Sequence, residues 1–183
     1  MTRSRDMINR CTGRLRTRRA FTLIDVMMTV TIVVFTAILV IPYIGDERRT
    51  RLMAASKVLI SDLEQAQVMT IARPDEPIIV RFESDGSAYW LARKDEPDTP
   101  LMNDLTGEPY RVEFGHGRAG GASGVMAELF DIENDTLAFN AFGGIDTPGD
   151  PPRIRLKIDG RAADVRISPS TGTIREVEPD DNE

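Results

Sequence analysis

An apolar run near the N-terminus is the feature that most restricts what this 183-residue chain can fold into. Val26 to Ile41 are sixteen residues without a charge, and the wider window of 25 residues, 21–45, holds a single charged side chain, Asp25. As a helix, that window would extend about 37 Å, which is enough to cross a hydrocarbon core of about 30 Å. The run therefore predicts a transmembrane helix.

Charge is distributed unevenly on the two sides of this run. Residues 1–20 contain seven arginines and one aspartate, a charge of +6, whereas the remaining 163 residues carry −12. Because a cationic segment before an apolar run stays in the cytoplasm, we expect the N-terminus inside and the acidic remainder outside the membrane. Cys11 is the only cysteine, so the sequence excludes an intramolecular disulfide and a cysteine metal site.

The residues after the run argue against a cleaved secretory signal. Such signals have a shorter apolar core, about 7 to 15 residues, followed by a small-x-small cleavage site. Here the run passes through Pro42, which is predicted to kink the helix, into Asp46-Glu47-Arg48-Arg49 without such a site. An uncleaved single-pass membrane anchor with a binding role explains this topology and stays open as an alternative.

The order of residues around Asp25 carries a more specific signal. Ala20-Phe21-Thr22-Leu23-Ile24-Asp25, after a basic leader, resembles the type IV prepilin processing motif, with Ala20 in place of the usual Gly and Asp25 in place of Glu. The resemblance implies cleavage between Ala20 and Phe21, N-methylation of Phe21, and a role in subunit assembly for Asp25 with Thr22. A carboxylate in this apolar setting is costly unless it faces a cation, such as the amine of an adjacent subunit.

Beyond residue 45 the pattern predicts an amphipathic helix that continues to about Ala72 and is stopped by Pro74. Its apolar residues recur at spacings of three and four, which places on one face Leu52, Ala55, Leu59, Leu63 and Ala66. The polar residues are expected largely elsewhere on the helix, namely Arg49, Lys57, Asp62 and Glu64.

The rest of the chain reads as short strands. One hairpin is predicted from strands 77–83 and 87–93 around Asp85-Gly86, and a second from 153–158 and 162–167 around Asp159-Gly160. Further strands are expected at 110–114, 136–142 and 173–177. Residues 94–108 and the glycine-rich 115–135 are expected to be loops, the second of them a mobile excursion.

These elements predict an α+β, pilin-like fold in which a long N-terminal helix, half transmembrane and half amphipathic, packs on a small antiparallel β-sheet. We divide the chain into a basic prepilin leader, 1–20, a transmembrane helix, 21–45, and an amphipathic extension of that helix, 46–73. A β domain, 74–177, and an acidic tail, 178–183, which is expected to be disordered, complete it.

Residues 54–72, with their Leu-x-x-Asp-Leu-x-x-Ala-Gln theme, and the terminal Ser170-Thr171-Gly172 strand are similar to the H-type minor pseudopilins of type II secretion, the GspH/FimT family. The resemblance implies a non-enzymatic subunit without cofactor that assembles with other pseudopilins or pilins into a membrane-rooted fibre for protein export. Its expected partners are a prepilin peptidase/methyltransferase, the inner-membrane secretion platform and membrane lipid. The protein would be a single-pass inner-membrane protein with a periplasmic C-terminal domain.

Other chemistry finds little support in the sequence. His116 is the only histidine and lies in a Gly-His-Gly setting, Ser123 misses the Gly-x-Ser-x-Gly elbow, and Asp131, Glu133 and Asp135 lack a calcium-loop glycine. Some relatives are minor type IV pilins that bind DNA, and basic residues around the last hairpin could supply a patch. The charge of −12 opposes such binding, so this alternative is disfavoured.

Overall fold

A computed structural model describes residues 22–40, 47–103, 106–145 and 150–177. The chain divides into two units, one up to residue 44 and one from residue 45 onward. Within the described part of the first unit lies helix α1, Leu23–Val40. The described part of the second unit contains helix α2, Glu47–Ala72, and nine strands.

Helix α2 forms as its periodicity predicts. All five residues of the predicted apolar face are buried, and the helix ends at Ala72, two residues before Pro74. Thr70 fixes this end to the first strand, because its hydroxyl accepts a hydrogen bond from the Ile78 N–H (3.0 Å) and donates one to the Ile78 carbonyl (3.2 Å). The helix therefore enters the β domain in a defined register.

The strands form two antiparallel sheets, not the one small sheet that the sequence predicts. The first has the order β3-β2-β1-β6, with β4 also paired to β2. Its strands are β1 (Ile78–Phe82), β2 (Ala88–Arg93), β3 (Glu96–Pro100), β4 (Arg111–Glu113) and β6 (Thr136–Ala138). The second sheet has the order β5-β7-β8-β9. Its strands are β5 (Met126–Phe130), β7 (Arg153–Ile158), β8 (Arg161–Ile167) and β9 (Ile174–Val177).

Both predicted hairpins are present. β1 pairs with β2 around Asp85-Gly86, and β7 pairs with β8 around Asp159-Gly160. Gly86 and Gly160 adopt positive φ angles of 72° and 77°, the left-handed conformation that these tight turns require. The α+β class is confirmed, because one face of each sheet packs with α2 in a single apolar core.

Two predicted loops are wrong in part. Residues 94–108 include β3, whose Pro97 carbonyl accepts a hydrogen bond from the Trp90 indole (2.9 Å). Residues 115–135 include β5 and two short 3-10 helices, Gly117–Ala122 and Glu133–Asp135. The predicted strand 136–142 is also shorter, since the chain turns at residues 140–143.

The glycine-rich segment packs on α2 and is not a loose excursion. Ala119 and Ala122 are buried, and a Cβ placed at Gly121 would already touch the Ala54 Cβ at 3.4 Å. Arg51 of the helix donates a hydrogen bond to the Ser123 carbonyl (3.0 Å). Small residues here allow the segment to approach the helix closely. The glycine-rich composition, which by itself predicts a mobile loop, is therefore explained by packing.

Candidate functional site

The predicted site residues fall at the start of the chain, and the structure describes two of them. Ala20, Phe21 and Pro42 lie outside the described residues, so the cleavage site and the helix kink stay predictions. Thr22 and Asp25 are described, at the beginning of α1. These two residues were assigned to subunit assembly by the sequence resemblance.

The structure brings Thr22 and Asp25 into contact as a local helix cap. The Thr22 hydroxyl donates to Asp25 Oδ2 (3.1 Å), the Thr22 N–H points at the same oxygen (3.4 Å), and the Asp25 N–H donates to the Thr22 carbonyl (3.0 Å). An acid three residues after a threonine is a known helix-start signal, because its carboxylate can reach back to the first N–H. Sequence reasoning missed this second role, although the Thr-x-x-acid spacing carries it.

Helix α1 exposes apolar side chains on all sides. Each side chain from Thr22 to Ile38 is exposed. The large apolar ones among them are Leu23, Ile24, Val26, Met27, Met28, Val30, Ile32, Val33, Val34, Phe35 and Ile38. A continuous apolar surface of this size is typical of a site covered by membrane or protein.

The hydroxyl groups of three threonines in α1 donate hydrogen bonds to the backbone of the same helix. Thr29, Thr31 and Thr36 donate to the carbonyls four residues earlier, at distances of 2.6, 2.8 and 2.7 Å. Such back-bonding leaves no hydroxyl proton in need of water, which suits an apolar environment.

Among residues 22–40, 47–103, 106–145 and 150–177, no helix combines the length and hydropathy needed for a membrane crossing. The predicted span, 21–45, begins before and ends after the described part of α1.

A buried carboxylate on α2 binds residues of two other segments of the second unit. Asp62 on α2 is 1% exposed, and its Oδ2 accepts hydrogen bonds from the Tyr89 hydroxyl (2.7 Å) and from Arg118 Nη2 (2.5 Å). The expectation that Asp62 lies away from the core-facing side of the helix is wrong. Its spacing from Leu59 and Ala66 puts it on the buried face. There Tyr89 and Arg118 both bind Oδ2, whereas the buried Oδ1 has no hydrogen-bond partner among the described residues.

The charge of Asp62 raises the pKa values of both of its partners. Burial, followed by the neighbouring carboxylate, raises the pKa of Tyr89 well above its usual value. Although partial burial opposes it, the hydrogen bond and charge of Asp62 raise the pKa of Arg118. Arg118 also lies 5.0 Å from the centre of the Tyr110 ring. This cluster holds the glycine-rich segment on α2.

The basic residues of the last hairpin are partly neutralised within the fold. Arg155 donates two hydrogen bonds to Asp164, from Nε (2.8 Å) and Nη2 (3.0 Å). Lys157 pairs with Glu128 at 2.7 Å. These contacts reduce the positive charge that the hairpin could offer to a nucleic-acid backbone.

The remaining candidates for chemistry lie apart from one another. His116 is exposed, with Nδ1 3.5 Å from a Glu113 oxygen, and Ser123 uses its carbonyl to accept from Arg51. Asp131 precedes the short 3-10 helix Glu133–Asp135 and Asp135 is its last residue, and both adopt positive φ angles. Within the described ranges, no group of three or more His, Cys, Asp or Glu residues is placed to hold a metal ion.

Comparison with known proteins identifies one similar fold. No sequence-family model and no curated protein matches the chain. Among solved structures, the minor pseudopilin EpsH from the type 2 secretion system of Vibrio cholerae is similar, with a TM-score of 0.50 and 13% sequence identity. The match covers 70% of this chain and 98% of that one. At this identity the likeness concerns the fold alone, and it shows that the chain has a pilin-like fold.

Proposed function

We propose that this chain is a minor pseudopilin of a type II secretion system, assembled into a membrane-rooted fibre that drives protein export. The observation that carries the proposal is helix α1, which is apolar and exposed along its described side chains and has one carboxylate, Asp25, near its start. A helix of this kind is stable in water only when other apolar groups cover it. Helices of sibling subunits and membrane lipid together provide such cover.

The position of Asp25 gives the assembly a defined register. Cleavage between Ala20 and Phe21 would create an amine that is largely protonated at neutral pH. A carboxylate inside an apolar helix stack is costly unless a positive group compensates it, and an adjacent subunit's amine would do so. Asp25 therefore favours one axial stagger between neighbouring helices. Its bond to Thr22 would hold the carboxylate in the unassembled chain.

The charge distribution supports an inner-membrane protein with a periplasmic C-terminal domain. The leader carries +6 and precedes the apolar run, while the remainder carries −12. In this arrangement the prepilin peptidase/methyltransferase acts on the cytoplasmic side, and the secretion platform contacts the membrane-embedded helix. The sequence theme of residues 54–72 and the pilin-like fold support the H-type assignment within the pseudopilins.

Asp25→Ala in the full chain tests the assembly role. We expect this variant to enter the membrane fraction normally but to lose cross-links to sibling pseudopilins, with recovery in Asp25→Glu. Thr22→Val is the matched control, because it removes the hydroxyl bond to the carboxylate while keeping the charge. Equal loss of cross-links in Thr22→Val and Asp25→Ala would assign Asp25 to helix capping and would contradict recognition of a partner.

Mass spectrometry of the mature N-terminus tests processing independently. We expect the protein from working complexes to begin with a methylated Phe21. A protein that begins at Met1 in those complexes would favour the uncleaved membrane anchor and would overturn the fibre-subunit proposal.

A further inference from the structure

A single aromatic side chain is almost fully exposed at a turn of the second unit. Phe142 is 93% exposed, more than any other large apolar residue described in that unit. Isolated exposed apolar residues are common on protein surfaces, so exposure alone does not make Phe142 a binding residue.

The backbone that carries this ring is held in place. In the turn of residues 140–144, the Asn140 side-chain oxygen accepts a hydrogen bond from the Phe142 N–H (2.9 Å). Gln67 of α2 donates to the Gly143 carbonyl (2.7 Å), which fixes the turn to the helix. A ring on a fixed backbone loses little conformational freedom when it binds, and such aromatic residues are suited to act as anchors of an interface.

An open groove lies between α2 and β3, and we call it the α2–β3 groove. It has a volume of about 510 Å³. Its walls are fixed, because the Leu101 N–H donates to the Leu91 carbonyl (2.7 Å) and the Tyr110 hydroxyl donates to Gln65 of α2. Its lining includes four apolar side chains, namely Met69, Pro100, Leu101 and Met102.

The α2–β3 groove has the chemistry that suits an aromatic ring. Met69 is half-buried and Met102 is exposed, and methionine sulfur makes favourable contacts with aromatic rings. Arg73, which is exposed, also lines the groove. A guanidinium group placed over a ring is attracted by its π electrons.

The exposed ring and the groove lie on opposite sides of the same helix. Because α2 turns about 100° per residue, Gln67, which holds the turn, and Met69, which lines the groove, point about 200° apart. These two positions differ by only about 3 Å along the helix axis, so the two features lie at the same height. The ring of Phe142 therefore does not reach the groove of its own chain, and a pairing of the two requires two copies.

We propose that Phe142 of one copy binds in the α2–β3 groove of a second copy of this chain, so that two β domains associate side by side. The chain itself supplies both the ring and a groove whose methionines and arginine favour a ring. The contact uses different surfaces of the two copies, so each added copy leaves one ring and one groove open for the next.

This contact is weak when the chains are free in solution. One aromatic side chain buries about 150–250 Å², whereas a stable interface buries about 1,200–2,000 Å² in total. Confinement of chains to one membrane surface raises their effective concentration and strengthens such a contact. The proposal goes beyond the proposed function, because neither leader cleavage nor Asp25 takes part in it.

Cysteine cross-linking of the full chain in detergent tests the contact. Every variant carries Cys11→Ser, which removes the native thiol. A tagged chain carries Ala141→Cys beside the ring, and an untagged chain carries Thr99→Cys, an exposed position that lines the groove. We expect their mixture to form a disulfide-linked heterodimer under mild oxidation. In the control mixture, Lys57→Cys, exposed on α2 about two turns before the groove, replaces Thr99→Cys and should not cross-link.

Substitutions of the ring distinguish aromatic recognition from general apolar association. Phe142→Ala in the tagged chain should lower the heterodimer yield about tenfold or more, as for the loss of an anchor residue. Its Tm should not change, because a ring that is 93% exposed contributes almost no packing. Phe142→Trp should keep the yield, whereas Phe142→Leu should lower it about two- to fivefold.

Four results would contradict the proposal. Equal heterodimer yields with Phe142 and with Phe142→Ala, or equal cross-linking at Thr99 and at Lys57, would overturn it. A native yield in Phe142→Leu would refute recognition of the ring. Homodimers of the Ala141→Cys chain in excess would indicate a symmetric contact, and a heterodimer that forms only with sibling pseudopilins present would assign the groove to a sibling. Asp25→Ala should leave the heterodimer unchanged, so this contact and the assembly role of Asp25 can fail separately.

Discussion

The buried contact between Asp62 and Tyr89 leads to a prediction whose magnitude can be worked from the structure. Asp62→Ala leaves the buried Tyr89 hydroxyl without its acceptor, which costs about 1–3 kcal/mol. Arg118 is half exposed at its side chain, 52%, so it regains water and adds only about 1 kcal/mol or less. The total loss of unfolding free energy should be about 1–4 kcal/mol, and Tm should fall by about 2–4 °C for each kcal/mol lost.

Tyr89→Phe should cost about 1.5–3 kcal/mol, since a hydrogen bond to a charged group is lost while Asp62 keeps Arg118. The double variant should lose about 1–2 kcal/mol less than the sum of the single losses, because no buried hydroxyl then lacks a partner. Urea denaturation of the full chain in detergent measures all three. If the loss in the double variant equals the sum of the two single losses to within about 0.5 kcal/mol, the coupling between Asp62 and Tyr89 is refuted. The explanation of why Asp62 tolerates burial would then be refuted as well.

Two further perturbations follow from single positions. Gly86→Ala should cost at least about 2 kcal/mol more than Gly160→Ala, because the added Cβ would lie 2.0 Å from the Ala127 carbonyl oxygen in the first case and meets nothing within 4 Å in the second. Both glycines have similar positive φ angles, so equal losses in urea denaturation would contradict the steric argument. The raised pKa of Tyr89 predicts that stability is fully present below the usual pKa of 10.0 and falls as pH rises above it, because only the unfolded chain then ionises that phenol. This dependence should be weaker in Tyr89→Phe than in Tyr110→Phe, and equal pH profiles of Tm would count against it.

Features set by local sequence could be predicted. The apolar spacing of α2 and its stop before Pro74 require only neighbours along the chain, and both are confirmed. The hairpins around Gly86 and Gly160 are likewise specified by turn residues between alternating strands. The fold class follows from these elements, because one amphipathic helix must cover the apolar faces of the strands.

Features set by distant pairing could not be predicted. Strand β5 is stabilised by β7, whose residues lie more than twenty positions later, so its own short sequence gives no clear period. The same holds for Asp62, whose burial depends on Tyr89 and Arg118 from two other segments. Of the candidate site, the Thr22–Asp25 contact could have been inferred from spacing, while the cleavage site and Pro42 lie outside the described residues.

The internal hydrogen bonds of the threonines in α1 have a consequence for how that helix selects its neighbours. The hydroxyls of Thr29, Thr31 and Thr36 donate their hydrogen bonds to backbone carbonyls of α1 itself. They therefore have no proton left to donate to a neighbouring helix, and they cannot distinguish one neighbour from another in this way. Most of the α1 surface is then uniformly apolar, and a neighbouring helix could shift along it with little change in interaction energy. In the proposed fibre, discrimination would be concentrated in the first turn, where the Asp25 carboxylate would fix the axial position of a neighbouring helix.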